Sequence, residues 1–428
     1  MATDPYPPRA GQPAHAAADR VARDSYGRLI AFLAARSGDI AAAEDALADA
    51  FCRALDRWPQ DGVPDNPDAW LLVTARRSLG HVWRHDQVRA AAAKDLADQL
   101  GAAQTTLTGD APSGLADQRL GLMLACAHPG IDAGARTPLM LQAVLGLDAG
   151  RIASAFLVSP GAMAQRLVRA KQRIKVAAIP FAIPDDGVPP DRVGAVLDAI
   201  YGAFAIGWGD PDGDGPSTLT EEAIWLARVV VRAAPDCAEA FGLLALMLFS
   251  AARSRARRAG GVFVPLDQHD VHLWDGAAMG EADRLLAYAG TLGQFGRYQC
   301  EAAIQAVHAE RRITGVTRWP VLVTLYAALW QLHPGVGVGV GRAAAVGQAI
   351  GPAEGLALLN ALPADQTAGY QPFHATRAHL LGRQAVADPG LAQAAAAAYA
   401  RAIGLTEDTA VRAYLIERVR RLGPCGPG

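Results

Sequence analysis

Apolar residues recur at spacings of three and four along almost the whole chain, and the strict alternation that marks a half-buried strand is nearly absent. This pattern predicts an all-α protein. Three stretches define it best. In Ile40–Trp58, one continuous face carries Ile40, Ala43, Leu47, Ala50, Phe51, Ala54 and Leu55, while Glu44, Asp45 and Asp49 lie off it. In Asn66–His85, Asn66 is placed to cap and Pro67 to open a helix. Leu71, Ala75, Leu79 and Val82 form its core stripe, and Trp70, Val73, Arg77, His81 and Arg84 share another face. In Asp148–Lys175, a short helix with Ile152, Ala153 and Phe156 meets a tight turn at Leu157-Val158. Ser159 and Pro160 then start a second helix with Met163, Leu167, Ala170 and Ile174 in one stripe.

Turn-forming clusters divide the chain. Residues 1–18 read as a disordered tail and 19–100 as a first helical domain containing a polar turn, Arg57–Asp68. Residues 101–114 (GAAQTTLTGDAPSG) are a linker, 115–181 a second helical unit, and 182–191, with the run IPDDGVPPD, a second linker. Residues 192–422 form a long helical extension, and the last residues fray. Within the extension, 372–405 reads as a helix pair broken at Asp388-Pro389-Gly390. Its small–aromatic–small face of Ala395, Ala398, Tyr399 and Ala402 gives it a tetratricopeptide-like character.

Composition narrows the classes. The 428 residues are 51% apolar with a net charge of −2, which suits packed domains and excludes a polybasic protein. The basic residues are 37 Arg and three Lys (Lys94, Lys171, Lys175), so nucleic-acid binding needs a local patch. Five scattered cysteines without a CxxC pair read as reduced thiols. The N-terminus lacks the apolar core of a signal peptide, and the longest apolar run, Ala240–Phe249, is too short to span a membrane. A cytoplasmic protein with no membrane partner is expected.

The sharpest chemistry lies in 148–175. Residues 160–181 hold five basic and no acidic side chains: Arg166, Arg169 and Arg173 on one side of the stripe, Lys171 and Lys175 on the other. This fits a helix-turn-helix whose second helix enters a major groove. Gly161, Ala162, Gln165 and Arg166 would meet base edges, and the later cations phosphates. A solvated basic helix of a bundle is the plainer reading. The aromatic, basic face of 66–85 suits stacking on an unpaired base, and equally a solvated face with a half-buried Trp. Asp210, Asp212, Asp214, Gly215 and Glu221 have calcium-loop spacing, but Ser217 stands where such loops bury an aliphatic residue, and Thr218-x-x-Glu221 makes a capping box. A solvated acidic turn is expected there. The pairs His81/His85, His269/His272 and His374/His379 lack further ligands, and Gly335–Gly341 lacks the GK[ST] of a phosphate loop. No metal, cofactor or catalytic constellation is expected, and the chain reads as a non-enzyme.

The order of SYGRLIAFLAARSGDIAAAEDALADAF, RWPQDGVPDNPDAWLLVTARR and RIASAFLV–AMAQRLVRAK resembles bacterial RNA polymerase sigma factors of the extracytoplasmic-function group. The extension, with LTEEAIWLARVV and YQPFHATRAHLLGR, resembles that of one class of the group. The resemblance implies region two over 19–100 and the helix-turn-helix region four over 115–181. It implies core RNA polymerase and promoter DNA as partners. Glu44, Asp45, Asp49 and Phe51 would contact the polymerase. Trp70, Arg76, Arg77, His81 and Arg84 would act at the −10 element, beside a base-capturing loop at Pro59–Asp68. Gln165, Arg166, Arg169, Lys171, Arg173 and Lys175 would act at the −35 element. The sequence departs from the family pattern at Ala48-Asp49, His81 and Arg151. Two functions follow from these readings: an alternative sigma factor whose extension holds a protein or ligand, or a helix-turn-helix adaptor that binds a partner without supporting initiation.

Overall fold

The computed structural model describes residues 12–86, 113–156, 158–208 and 218–422. They are almost entirely helical, as the periodicity predicts, with one two-residue-per-strand hairpin, β1 (Arg258–Ala259) against β2 (Val262–Phe263). The chain divides into two compact units. The first is 1–207 with 218–234, and the second is 208–217 with 235–428.

The first unit begins with α1 (Gln12–Asp24), α2 (Tyr26–Ser37), α3 (Ile40–Asp61) and α4 (Pro67–Asp86). Helix α1 starts inside the stretch expected as a tail and buries Ala14 and Ala18, so the tail reading does not hold from residue 12 onward. The polar turn expected over Arg57–Asp68 is also mostly helix. Helix α3 runs through Pro59 and stops where Gly62 adopts φ +88°, a left-handed conformation that glycine adopts without strain. Ile30, Leu33, Ile40, Leu47 and Leu71 are fully buried between α2, α3 and α4.

Helices α5 (Ser113–Cys126), α6 (Ala133–Ala143), α7 (Ala149–Ala155) and α8 (Pro160–Val176) follow. Helix α2 lies directly on this second group. A Cβ on Gly27 would sit 1.7 Å from the Val144 carbonyl oxygen, so only a bare backbone fits there. The unit is completed by α9 (Pro190–Trp208) and α10 (Thr218–Ala233), both largely beyond the 182–191 linker. Arg119 on α5, 2% exposed, pairs with Glu222 of α10, lies 4.9 Å from the Trp225 ring centroid, and donates to the Val144 carbonyl at 3.3 Å. The loop expected as an acidic turn, with Asp210, Asp212 and Asp214, lies outside the described residues.

The second unit stacks helices α11 (Ala238–Ala251), α12 (Gly276–Thr291), α13 (Arg297–Ala309), α14 (Trp319–Leu332), α15 (Val336–Ala349), α16 (Pro352–Asn360), α17 (Gln371–Gln384), α18 (Ala392–Leu405) and α19 (Thr409–Arg420). Helix α11 is apolar all round and buried from Ala240 to Phe249. Three of the glycines of Gly335–Gly341 lie inside α15, two of them at close approaches. A Cβ at Gly339 would lie 2.6 Å from Leu362, and one at Gly341 2.5 Å from Tyr326. Helices α17 and α18 pair over 371–405 through Phe373, Ala378 and Leu381 on one side and Ala395, Ala398, Tyr399 and Ala402 on the other.

Candidate nucleic-acid and polymerase interface

The candidate residues of the first unit lie on α3, α4 and α8. Helix α3 is started by Asp39, whose carboxylate accepts from the Ala41 and Ala42 N–H groups at 3.0 and 3.2 Å. Its apolar stripe turns Asp45 and Asp49 to solvent, leaves Phe51 half-buried, and leaves Glu44 at the edge of the core. Asp49 accepts a hydrogen bond from the Ser78 hydroxyl of α4 at 3.0 Å.

Helix α4 is capped by Asn66, which accepts from the Ala69 N–H at 3.0 Å. Leu71, Ala75 and Leu79 form the buried stripe. Trp70 is half-buried edge-on to the buried Trp58, with ring centroids 5.6 Å apart. Arg76 lies 5.9 Å from the Phe32 ring centroid, a cation–π contact that ties its guanidinium to α2. Arg77 is exposed. The side chains of His81 and Arg84 lie outside the described residues.

Helix α8 forms as its caps and periodicity predict. The Ser159 hydroxyl accepts from the Ala162 N–H at 3.3 Å, and Met163, Leu167, Ala170 and Ile174 are buried. Gly161, Ala162, Gln165 and Arg169 are exposed. Arg166 and Arg173 reach back to the carbonyls of Gly134 (3.2 Å) and Gly130 (3.3 Å), which orients two of the cations along the helix.

The two lysines do something that the sequence reading did not anticipate. Lys171 pairs with Glu44 of α3 at 2.5 Å, and Lys175 pairs with Asp39, the cap of α3, at 2.8 Å. Two residues assigned to DNA thus hold Glu44, which was assigned to the polymerase, and the cap Asp39, which was assigned to neither. The Lys171–Glu44 pair is mostly shielded, with side chains 11% and 19% exposed, whereas Lys175 is 58% exposed. Burial pushes the Glu44 carboxyl up, and the Lys171 ammonium only partly offsets it. Burial also pushes Asp39 up, but the Lys175 ammonium and the two cap N–H groups outweigh it, and its net shift is down. Asp39 was missed, although Asp after Gly at the start of an apolar-periodic run is a cap signal.

Residues 21–88, covering α2, α3 and α4, match sigma-70 region 2. The chain contains a sigma-70 region 2 domain. Residues 192–290 match a family of unknown function, DUF6596, which spans parts of both compact units. The chain is also 36% identical over 379 residues to an uncharacterized protein of Rhizobium meliloti (strain 1021), covering 87% of this chain and 88% of the relative, and it belongs to the same family as that protein. No solved structure matches the chain. The sigma-70 family consists of non-enzymatic factors that act in transcription initiation with core RNA polymerase and promoter DNA. Among the described residues, no helix is long and apolar enough to cross a membrane, and no three His, Cys, Asp or Glu side chains gather as a metal site.

Proposed function

We propose that this protein is an alternative sigma factor of the sigma-70 family, of the extracytoplasmic-function kind. It binds core RNA polymerase through α3, reads the −10 element with α4, and reads the −35 element with α8. The carrying observation is the sigma-70 region 2 match over α2–α4 in one compact unit with α8, a capped basic helix with Gln165 and Arg169 exposed. Polymerase contact falls to Asp45 and Asp49, with Phe51 beside them. Trp70, Arg76 and Arg77 serve the −10 element. The second unit, tetratricopeptide-like in its α17–α18 pair, serves as the regulatory partner-binding part. The chain acts in the cytoplasm and catalyses nothing itself; the polymerase does the chemistry.

The Lys171–Glu44 and Lys175–Asp39 pairs support a resting arrangement of this factor. Initiation then requires the pairs to part, freeing two cations for phosphates and Glu44 for the polymerase. The adaptor reading rests on the same pairs, because a chain held in this arrangement binds a partner without initiating.

The deciding experiment is run-off transcription with purified core polymerase and promoters mapped by start-site sequencing with and without this protein. The sigma reading expects start sites that depend on the protein, and their loss with Asp45→Arg. Normal DNA binding with no complex with core polymerase leaves the adaptor.

A further inference from the structure

The second unit contains a cavity of about 300 Å³ between the segment after β2 and helices α13, α14, α15, α17, α18 and α19. That volume is at the small end of organic-ligand sites. Its walls include Trp319, Tyr399 and Tyr414, and two guanidiniums line it, those of Arg311 and Arg418. Both are held in place. Arg311 donates to the backbone carbonyls of Asp267 and His269 and lies 5.2 Å from the Trp274 ring centroid. Arg418 lies within 3.5 Å of the Tyr399 hydroxyl.

The charge around this cavity is unbalanced. Its one lining carboxylate is Asp267. A third guanidinium, Arg253, is only 6% exposed, and the charges acting on it are those of Arg311 and a fourth guanidinium, Arg257. Its Nη2 donates to the Gln305 amide, and its Nη1 is buried with no hydrogen-bond partner. A buried guanidinium without a carboxylate is costly. Its charge is felt at the cavity wall, where burial first and then Arg253 and Arg311 push the His308 imidazole down to about 4. His308 is therefore neutral at pH 7, burial also pushes the His379 imidazole down, and the arginines supply the positive potential.

We propose that this cavity binds a small aromatic monocarboxylate. The aromatic side chains take the ring, Arg418 and Arg311 take the carboxylate, and Asp267 opposes ligands with a second negative charge. Fixed guanidiniums suit a planar carboxylate because they present two parallel donors without reorganising. The inference concerns the second unit alone and does not depend on the transcription reading.

Isothermal titration of the full chain with benzoate, indole-3-acetate, their neutral counterpart benzamide, and inorganic phosphate tests it. The expected result is that at least one carboxylate binds with Kd below about 1 mM, at least about tenfold tighter than benzamide or phosphate. Arg418→Gln, which removes a guanidinium, and Ala375→Trp, which fills the cavity, each weaken that binding by at least about tenfold. Melting curves report whether each variant is folded, and the wild-type comparison of benzoate with benzamide stands without them. No heat from either carboxylate up to about 10 mM overturns the proposal. So does equal binding of benzamide, tighter binding of phosphate, or binding untouched in folded forms of both variants.

Discussion

At the residue scale, the side chains that matter most are those whose charge is sequestered. Lys171 and Glu44 are shielded together, and Glu44 Oε1 has no hydrogen-bond partner. Desolvation outweighs the attraction at Glu44, so the pair as a whole contributes little net stability, while either half alone is costly. Lys171→Met should therefore destabilise the protein by about 1–3 kcal/mol at pH 7, and adding Glu44→Gln should recover most of the loss. Denaturant melts of the two singles and the double measure this; additive losses would show that the pair does not couple. A second prediction concerns acid. His308 and His269 are both depressed to about 4, mainly by burial, against about 6.5 when unfolded. Between those values the unfolded chain binds more protons than the folded one, so their contribution is present in full above pH 6.5 and is lost as pH falls toward 4. The melting temperature should drop from pH 7 to pH 5, and His308→Asn should shrink that drop. An unchanged pH slope in the variant would remove His308 from this account.

Elements were legible where their cause is local. Helix α8 could be read in full because Ser159, Pro160 and the stripe Met163, Leu167, Ala170 and Ile174 all act within one helix. The Asn66 cap is equally local, and so is that of Asp148, which the sequence reading passed over. What the sequence did not reveal is how elements meet. Lys171 and Glu44 are 127 positions apart, and nothing in either neighbourhood names the other. Gly27 reads as a weak spot in a helix until α2 is seen against the Val144 carbonyl. The start of α13 is similar. Its cap position is Gly296, which has no side chain to offer, and Glu239 of α11 supplies the acceptor instead, at 2.8 Å to the Tyr298 N–H and 3.0 Å to the Gln299 N–H. A Cβ at Gly296 would lie 2.4 Å from that carboxyl carbon, so the glycine is what lets the carboxylate in. Glu239→Ala should leave these two donors unmet inside the unit, costing about 1–3 kcal/mol in thermal or denaturant unfolding. Glu239→Gln keeps an acceptor and should cost less. Gly27→Ala forces α2 away from bare backbone, and a loss of about 1–3 kcal/mol or more is expected.

At the scale of the whole molecule, the boundary expected at 182–191 does not divide the packed units, and this changes which fragments should fold. Helix α10 belongs to the first unit: Ala223, Leu226, Ala227, Val229 and Val230 are buried, and Glu222 and Trp225 surround the Arg119 guanidinium on α5. Gly121, also on α5, is so close to the chain at Phe181 and Ala182 that a Cβ there would lie 3.0 Å from the Phe181 carbonyl oxygen. A truncation after Phe181 removes α9 and α10 together. It exposes the apolar face they covered and leaves Arg119 without its carboxylate and its aromatic neighbour. Losing one partner of a buried ion pair alone costs about 3–5 kcal/mol, a large part of the 5–15 kcal/mol typical of a domain. A truncation after Ala234 keeps every one of these contacts. The 1–234 fragment should therefore be soluble, melt in one cooperative transition and bind promoter DNA, whereas 1–181 should aggregate or melt without cooperativity. Should 1–181 melt as sharply as 1–234, α9 and α10 would be dispensable to the first unit. The comparison also determines how the extension is tested. Activity lost on cutting after Phe181 would report a damaged first unit, and only a cut after Ala234 isolates what the second unit contributes to transcription.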